Sequence, residues 1–188
     1  MKTVQTIKQL EALYPDVVPL AIKKVAHIIT PQYKRWIVSS RFVALGTVGT
    51  NGLDVSPRGD SESVVSVFDD TTLLLPDWRG NNRLDSLRNI LSDNRVSMMF
   101  MIPGCKNVVR VSGTAILSVD PKLICQFERR GQHPTTVVVV SVSKLFFQCA
   151  KSIMRSDLWS GVDHSAAVPT AGDFLKEADQ YFDSKAFD

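Results

Sequence analysis

The stretch TTLLLPDWRGNNRLDSLRNILSDNR, Thr71–Arg95, decides how this chain is read. Leu73, Leu74 and Leu75 predict a strand that breaks at Pro76. A helix follows, with Leu84, Leu87 and Ile90 on one face. Between them lie Asp77, Trp78, Arg79, Gly80, Asn81, Asn82 and Arg83. A helix start, two amide side chains, two guanidiniums and an indole therefore fall within one short loop. Free backbone N–H groups and the helix dipole favour an anion at such a place. Arg79 and Arg83 can add charge-assisted hydrogen bonds to phosphate oxygens. Trp78 offers a flat face to a ring system. The guest that suits all three is a phosphorylated aromatic molecule. A plain solvated turn is the alternative, because Asn, Asp and Gly build turns of this length without any ligand.

Outward from this segment the chain reads as strands. Phe42–Val48 is apolar, Gly49-Thr50-Asn51-Gly52 supplies a hairpin turn, and Leu53–Arg58 returns. Val64, Val65 and Val67 predict the next strand, turned by Asp69-Asp70 into Thr71–Leu75. After the helix come Val96–Ile102 and Val108–Val119. Asp120-Pro121 caps a further helix that Gly131 ends. Thr135–Phe147 is the most strand-like run, with Val137–Val140 consecutive, as expected of a strand buried on both faces. Six strands with short turns and one inserted helix predict a closed antiparallel barrel, mainly β with flanking helices. Closure removes edges that so many valines would otherwise expose. Residues 1–40 read as helical, with Ile7, Leu10, Leu13 and Tyr14 on one face. Thr30-Pro31 marks a helix start ahead of Tyr33, Trp36 and Ile37. The chain from Asp163 predicts a loop and then a helix carrying Phe174, Leu175, Ala178, Tyr181 and Phe182.

Composition narrows the function. The 188 residues suit one domain, and 44% hydrophobic with 22% charged residues is ordinary for a globular protein. A net charge of +3, with scattered basic residues, lacks the footprint of a nucleic-acid binder. Cys105, Cys125 and Cys149 show no CxxC spacing, which argues for a reducing compartment and against structural zinc. His27, His133 and His164 show no metal-ligand spacing, and no metal is assigned. No run of apolar residues is long enough for a membrane span, and Lys2, Lys8 and Glu11 interrupt any signal core. A soluble cytoplasmic protein is expected.

Two further segments carry possible chemistry. In Asp54–Asp60 (DVSPRGD), Pro57 cannot donate to a sheet ladder and Gly59 permits unusual backbone angles. The sheet is expected to be interrupted there, freeing backbone groups for a ligand. The plain alternative is a strand end with an Arg58–Asp60 ion pair. In Phe146–Trp159 (FFQCAKSIMRSDLW), a short helix would put Lys151 and Arg155 on one face, four apart. Either they present cations to a ligand, or they are solvated chains on an amphipathic helix. Cys149 is expected to be a buried thiol rather than a nucleophile.

With Thr71–Arg95, these two motifs resemble the pyridoxamine 5′-phosphate oxidase-like FMN-binding superfamily, in particular a subgroup of mostly unassigned substrate. The resemblance runs from about Arg41 to Trp159. It implies one split-barrel domain over 1–188, with N-terminal helices to residue 40, a barrel core over 41–159 and an extension over 160–188. It also implies a homodimer with FMN held between subunits. Carried onto this chain, it puts Ser56, Pro57 and Arg58 beside the flavin, and Asp77, Trp78 and Arg79 near the ring and ribityl chain. Asn82 and Arg83 fall where the superfamily holds phosphate. This chain departs there from the better-known oxidases, which carry an arginine–lysine pair. Gln148, Lys151, Arg155 and Trp159 would reach across the interface. The implied activity is FMN-dependent oxidation or reduction of a small molecule, with catalytic residues unassigned. The oxidases proper end in a segment rich in arginine and histidine, whereas DFLKEADQYFDSKAFD is mixed and acidic, so pyridoxamine phosphate is not the expected substrate. A deazaflavin-dependent reductase and a non-catalytic flavin or tetrapyrrole binder are the other readings.

Overall fold

Alternation along the strands builds the core. In β1 (Phe42–Gly49), Val43, Leu45 and Thr47 are buried and their neighbours are not. The structure, a computed structural model, describes residues 1–50, 52–149 and 151–179. Asn51 of the predicted hairpin, and Tyr181 and Phe182 of the predicted last helix, lie outside the described residues. The chain forms two compact units, residues 1–150 and 151–188.

The first unit is a seven-stranded, wholly antiparallel sheet. Its strands are β1, β2 (Gly52–Gly59), β3 (Ser66–Val67), β4 (Thr72–Asp77), β5 (Arg95–Met101), β6 (Asn107–Ser118) and β7 (Thr136–Cys149). The spatial order is β2-β1-β5-β6-β7-β4-β3. Each segment read as a strand forms one, which makes seven rather than the expected six; the segment around Val64–Val67 yields only the two-residue β3. Val64 and Val65 are buried ahead of it, and the Val64 N–H donates to Ser40 O at 3.0 Å.

The expected backbone closure of the barrel does not occur. The sheet curls so that β2, at one end of the order, meets the end of β4 near the other. Side chains span this seam: Arg58 Nη1 donates to Asp77 Oδ1 at 2.8 Å, and Trp78 Nε1 donates to Asp60 Oδ2 at 3.1 Å. Proline in each bordering strand favours a split. Pro57 and Pro76 have no N–H to give to a ladder across the gap. Each is nonetheless an ordinary member of its own strand, opposite Ala44 and Val137 respectively. The sheet is thus not interrupted at Pro57, because β2 is an edge strand and its free side tolerates proline. Nor does the strand break at Pro76; β4 runs on to Asp77.

Val137, Val138 and Val140 are buried where β7 lies between β6 and β4. Beyond the start of β4, the freed side of β7 is taken by the strap Lys24–Ile29. Ala26 and Leu145 exchange both backbone hydrogen bonds, at 2.9 and 2.8 Å, and His27 Nδ1 bonds Ser143 O at 2.8 Å. Gly113 sits at the bulge between β6 and β7, so close to Ser141 O that any side chain would displace backbone.

Three helices precede the sheet: α1 (Ile7–Glu11), α2 (Pro19–Lys23) and α3 (Pro31–Val38). Proline at the first position of α3 fixes its entry, and Ile37 is fully buried. The expected apolar face of the N-terminal helix is not used within the chain: α1 ends at Glu11, and Ile7, Leu10, Leu13 and Tyr14 are all exposed. The inserted helix α4 (Asp85–Ser92) lays Leu87 and Ile90 on β1. The helix α5 (Pro121–Ile124) is capped by the Asp120 carboxylate, which accepts from Lys122 N at 2.8 Å, but it stops at Cys125 rather than at Gly131. Instead Arg129 to Gln132 form a tight turn with positive φ at Arg130 and Gly131.

In the second unit, α6 (Lys151–Arg155) is followed by a short 3₁₀ turn and by α7 (Ala171–Ala178). Thr170 and Asp173 form a reciprocal capping box at the start of α7. Among the described residues, no helix is long and apolar enough to cross a membrane.

Candidate functional site: a cleft at the sheet seam

The split leaves a cleft of about 530 Å³ between the core-side face of β2 and the chain that leaves β4. That is within the roughly 300–1,000 Å³ typical of small-molecule and cofactor sites. Asp54, Ser56 and Arg58 alternate onto its wall from β2. Asp77 and Trp78 lead out of β4, Gly80–Leu84 form the rim, and α4 begins inside it. Thr135 and Thr136, where β7 starts, complete the lining. Eight of the twelve residues expected at the site are therefore brought together: Ser56, Pro57, Arg58, Asp77, Trp78, Arg79, Asn82 and Arg83.

The other four are not among the lining residues. Gln148 is exposed near the end of β7 and accepts from Arg110 Nη1 at 3.2 Å. Lys151 and Arg155 occupy the two ends of α6 in the second unit, and Trp159 follows them. Cys149 is exposed, not buried, because β7 has left the core by that point.

The rim differs from expectation in a way that matters for binding. The helix starts at Asp85, so Asn82 and Arg83 precede it rather than sit in its first turn. Leu84 does not join the buried face; it is exposed, and it is the N-cap in a left-handed conformation, φ 60°. Asn82 also has φ 60°. Leucine in that region is strained, and strain of this kind collects at ligand-binding loops. Leucine also has no side-chain acceptor. The first turn of α4 therefore carries no side-chain cap, and its amide donors open at the cleft.

The charges on the wall are matched. Arg58, Arg79 and Arg83 face Asp54, Asp77 and Asp85. Arg58 is tied to Asp77, not to Asp60, and the pair is half-buried. Arg83 pairs with Asp85 at 2.6 Å, both exposed, and that hydrogen bond raises the Arg83 pKa. Ser86 Oγ donates to Asp54 Oδ2 at 2.9 Å. Arg79 is exposed and makes no hydrogen bond or ion pair among the described residues. Two buried polar atoms of the lining lack partners, Arg58 Nε and Thr136 Oγ1. Unpaired buried polar atoms are rare enough to require a reason, and a polar ligand supplies one.

The sequence did not single out Thr136, Ser86, Asp54 or Asp85 as wall residues. Nothing local marks a threonine at the start of a strand as facing a cleft formed by strands distant in sequence. Among the described residues no cluster of three or more His, Cys, Asp or Glu could hold a metal ion.

A split antiparallel barrel with a cofactor-sized cleft at its seam defines the class. The chain belongs to the pyridoxamine 5′-phosphate oxidase family, whose model matches residues 29–149. Its fold is similar to that of HupZ from Group A Streptococcus, with a TM-score of 0.54, 18% identity, and coverage of 65% of this chain and 95% of that one. It is also similar to a pyridoxamine 5′-phosphate oxidase candidate from Lactobacillus delbrueckii, with a TM-score of 0.50, 19% identity, and coverage of 64% and 95%. An FMN-binding protein from Syntrophomonas wolfei matches at a TM-score of 0.46 and 14% identity, with coverage of 61% and 82%. No curated protein matches the sequence significantly.

Proposed function

We propose that this protein is a flavoprotein that binds FMN in the seam cleft and acts, as a homodimer, in oxidation or reduction of a small molecule. The observation that carries the reading is the pair of unsatisfied buried donors, Arg58 Nε and Thr136 Oγ1, in a cleft of about 530 Å³ with an uncapped helix start at its rim. Membership of the family supports the choice of cofactor.

The residues divide the work by chemistry. Asn82, Arg83 and the first amides of α4 suit a phosphate: two amide hydrogens, a guanidinium and backbone donors with the dipole behind them. Arg79 has no carboxylate to leave and can join them. The Arg83–Asp85 pair costs little to open, since both groups are exposed and solvent screens them. Arg58 is different. Asp77 holds one of its nitrogens, so the guanidinium is fixed and half-buried, with Nε left for an acceptor on the ligand. That suits orientation of a ring better than capture of phosphate. Trp78 supplies an apolar wall. When bound, the flavin supplies the two-electron chemistry, and the protein supplies binding, orientation and electrostatics.

Dimerisation is supported by an apolar outer surface on β2, β1 and β5. Leu53 and Val55 are 86% and 70% exposed, and the exposed Phe42 and Met99 lie farther along the same face. Grouped apolar exposure of this kind marks association surfaces. In such a dimer Gln148, Lys151, Arg155 and Trp159 are the residues proposed to approach the partner's flavin, as the family resemblance implies.

The experiment is a paired titration with FMN and riboflavin, read by quenching of flavin fluorescence. The phosphate clamp predicts that riboflavin binds at least about tenfold more weakly, equivalent to about 1.4 kcal/mol. Equal affinities would remove the clamp from the account.

A further inference from the structure

We propose that Asp60, which lies outside the cleft lining, is the positioning residue for the Trp78 indole and thereby sets the wall against which the flavin packs. The proposal rests on the FMN reading for its consequence, but the positioning itself is a property of the protein alone.

Trp78 separates two spaces. On one side is the main cleft. On the other is a smaller cavity of about 190 Å³, lined by Arg58 and Asp60 together with Pro57, Val64, Leu75 and Pro76, and closed by Arg129. The indole is half-buried between them. A planar side chain with room behind it has two resting places: against the cleft, or turned back into the smaller cavity.

One hydrogen bond selects between them. Trp78 Nε1 donates to Asp60 Oδ2 at 3.1 Å. Asp60 is itself immobilised. Its backbone N–H donates to Arg41 O at 3.0 Å, and its Oδ1 accepts from Ser61 N at 2.6 Å and from Ser61 Oγ at 3.2 Å. Its side chain is 14% exposed. Arg129 Nη1 stands 3.9 Å from the same Oδ2, too far for a hydrogen bond but close enough to balance the charge. A fixed acceptor aimed at an indole N–H determines the ring's rotation, because the N–H lies in the ring plane. The indole has no other hydrogen-bond partner among the described residues.

The test uses four single variants of the full chain and one double variant, with the wild type. Trp78→Phe identifies the near-ultraviolet circular dichroism band of this indole in FMN-free protein. Asp60→Ala removes the acceptor; Asp60→Asn keeps an oxygen acceptor; Arg129→Ala removes only the balancing charge. The proposal expects Asp60→Ala to lose the Trp78 band without FMN present, and to weaken FMN binding by roughly 5- to 15-fold, the scale of one hydrogen bond. Asp60→Asn should keep the band and stay within about threefold of wild-type affinity, as should Arg129→Ala. In a Trp78→Phe background, adding Asp60→Ala should cost no further affinity. An intact Trp78 band in Asp60→Ala overturns the positioning. So does an equal loss of FMN affinity on adding Asp60→Ala with and without the indole. If wild-type protein takes up no FMN, the flavin reading fails while the dichroism still decides the role of Asp60. If Asp60→Ala does not fold, Asp60→Asn and Trp78→Phe carry the test: loss of the band in Asp60→Asn then overturns it.

Discussion

Arg58 Nη1 donates to Asp77 Oδ1 at 2.8 Å, and this pair joins the two strands at which the sheet fails to close. It lies on the cleft wall, so the same contact that holds the split together also shapes the proposed binding site. Cutting it should therefore affect both stability and ligand affinity.

Asp77→Ala should destabilise the protein by about 1–3 kcal/mol, since it leaves a half-buried guanidinium without its partner. The double variant Arg58→Met, Asp77→Leu should cost less than Asp77→Ala alone, because it leaves no orphaned charge. Urea unfolding of the three proteins measures this. A double variant as costly as Asp77→Ala, or costlier, would contradict the pairing.

Arg83→Ala should weaken FMN binding by roughly 10- to 150-fold, the worth of a charge-assisted contact of about 1.5–3 kcal/mol. Lys151→Ala should leave affinity much closer to wild type and act on turnover or flavin potential. The comparison needs one ionic strength for both variants, because phosphate contacts are screened by salt. Equal affinities would put the phosphate elsewhere.

Asp85→Asn should tighten FMN binding by roughly 3- to 10-fold at low salt, because Arg83 no longer has to leave a carboxylate and the site loses a negative charge. The gain should shrink as salt is raised. Weaker binding in Asp85→Asn would show that the Arg83–Asp85 pair is part of the bound state rather than displaced from it.

A pH effect is expected away from the site. The Arg95 side chain and backbone N–H hydrogen-bond the Asp93 carboxylate and hold its pKa at about 2, below the ordinary 3.8. A depressed carboxylate pKa contributes stability that is present above the unfolded value and lost as pH falls from about 3.8 through about 2. Asp93→Asn should flatten stability in that window and leave its slope above pH 5 unchanged. The effect is small, since Arg95 is exposed, Asp93 is only partly buried, and solvent screens the pair. Thermal unfolding from pH 2 to 6 measures it.

The strands were legible because their apolar residues alternate or run together. The β1–β2 hairpin and the strongly apolar β7 announce themselves. What the sequence concealed was long-range. Whether Arg58 pairs with Asp60, two residues away, or with Asp77, nineteen away, depends on how the sheet curls. The same curl makes Asp60 available to Trp78 and puts Thr136 on the cleft wall. The start of α4 is hidden for a local reason: Leu84 fits the helical period, but its left-handed backbone places it outside the helix. Arg79, Asn82 and Arg83 were legible as a group through residue type and proximity to a helix start, whereas their carboxylate partners were not.

The central claim is that the seam cleft holds FMN, and the absorption spectrum of the purified protein tests it most directly, followed by mass identification of whatever heat releases. The account predicts a yellow protein with the bands of oxidised flavin and release of FMN rather than FAD. A colourless protein that also fails to take up added FMN would contradict it.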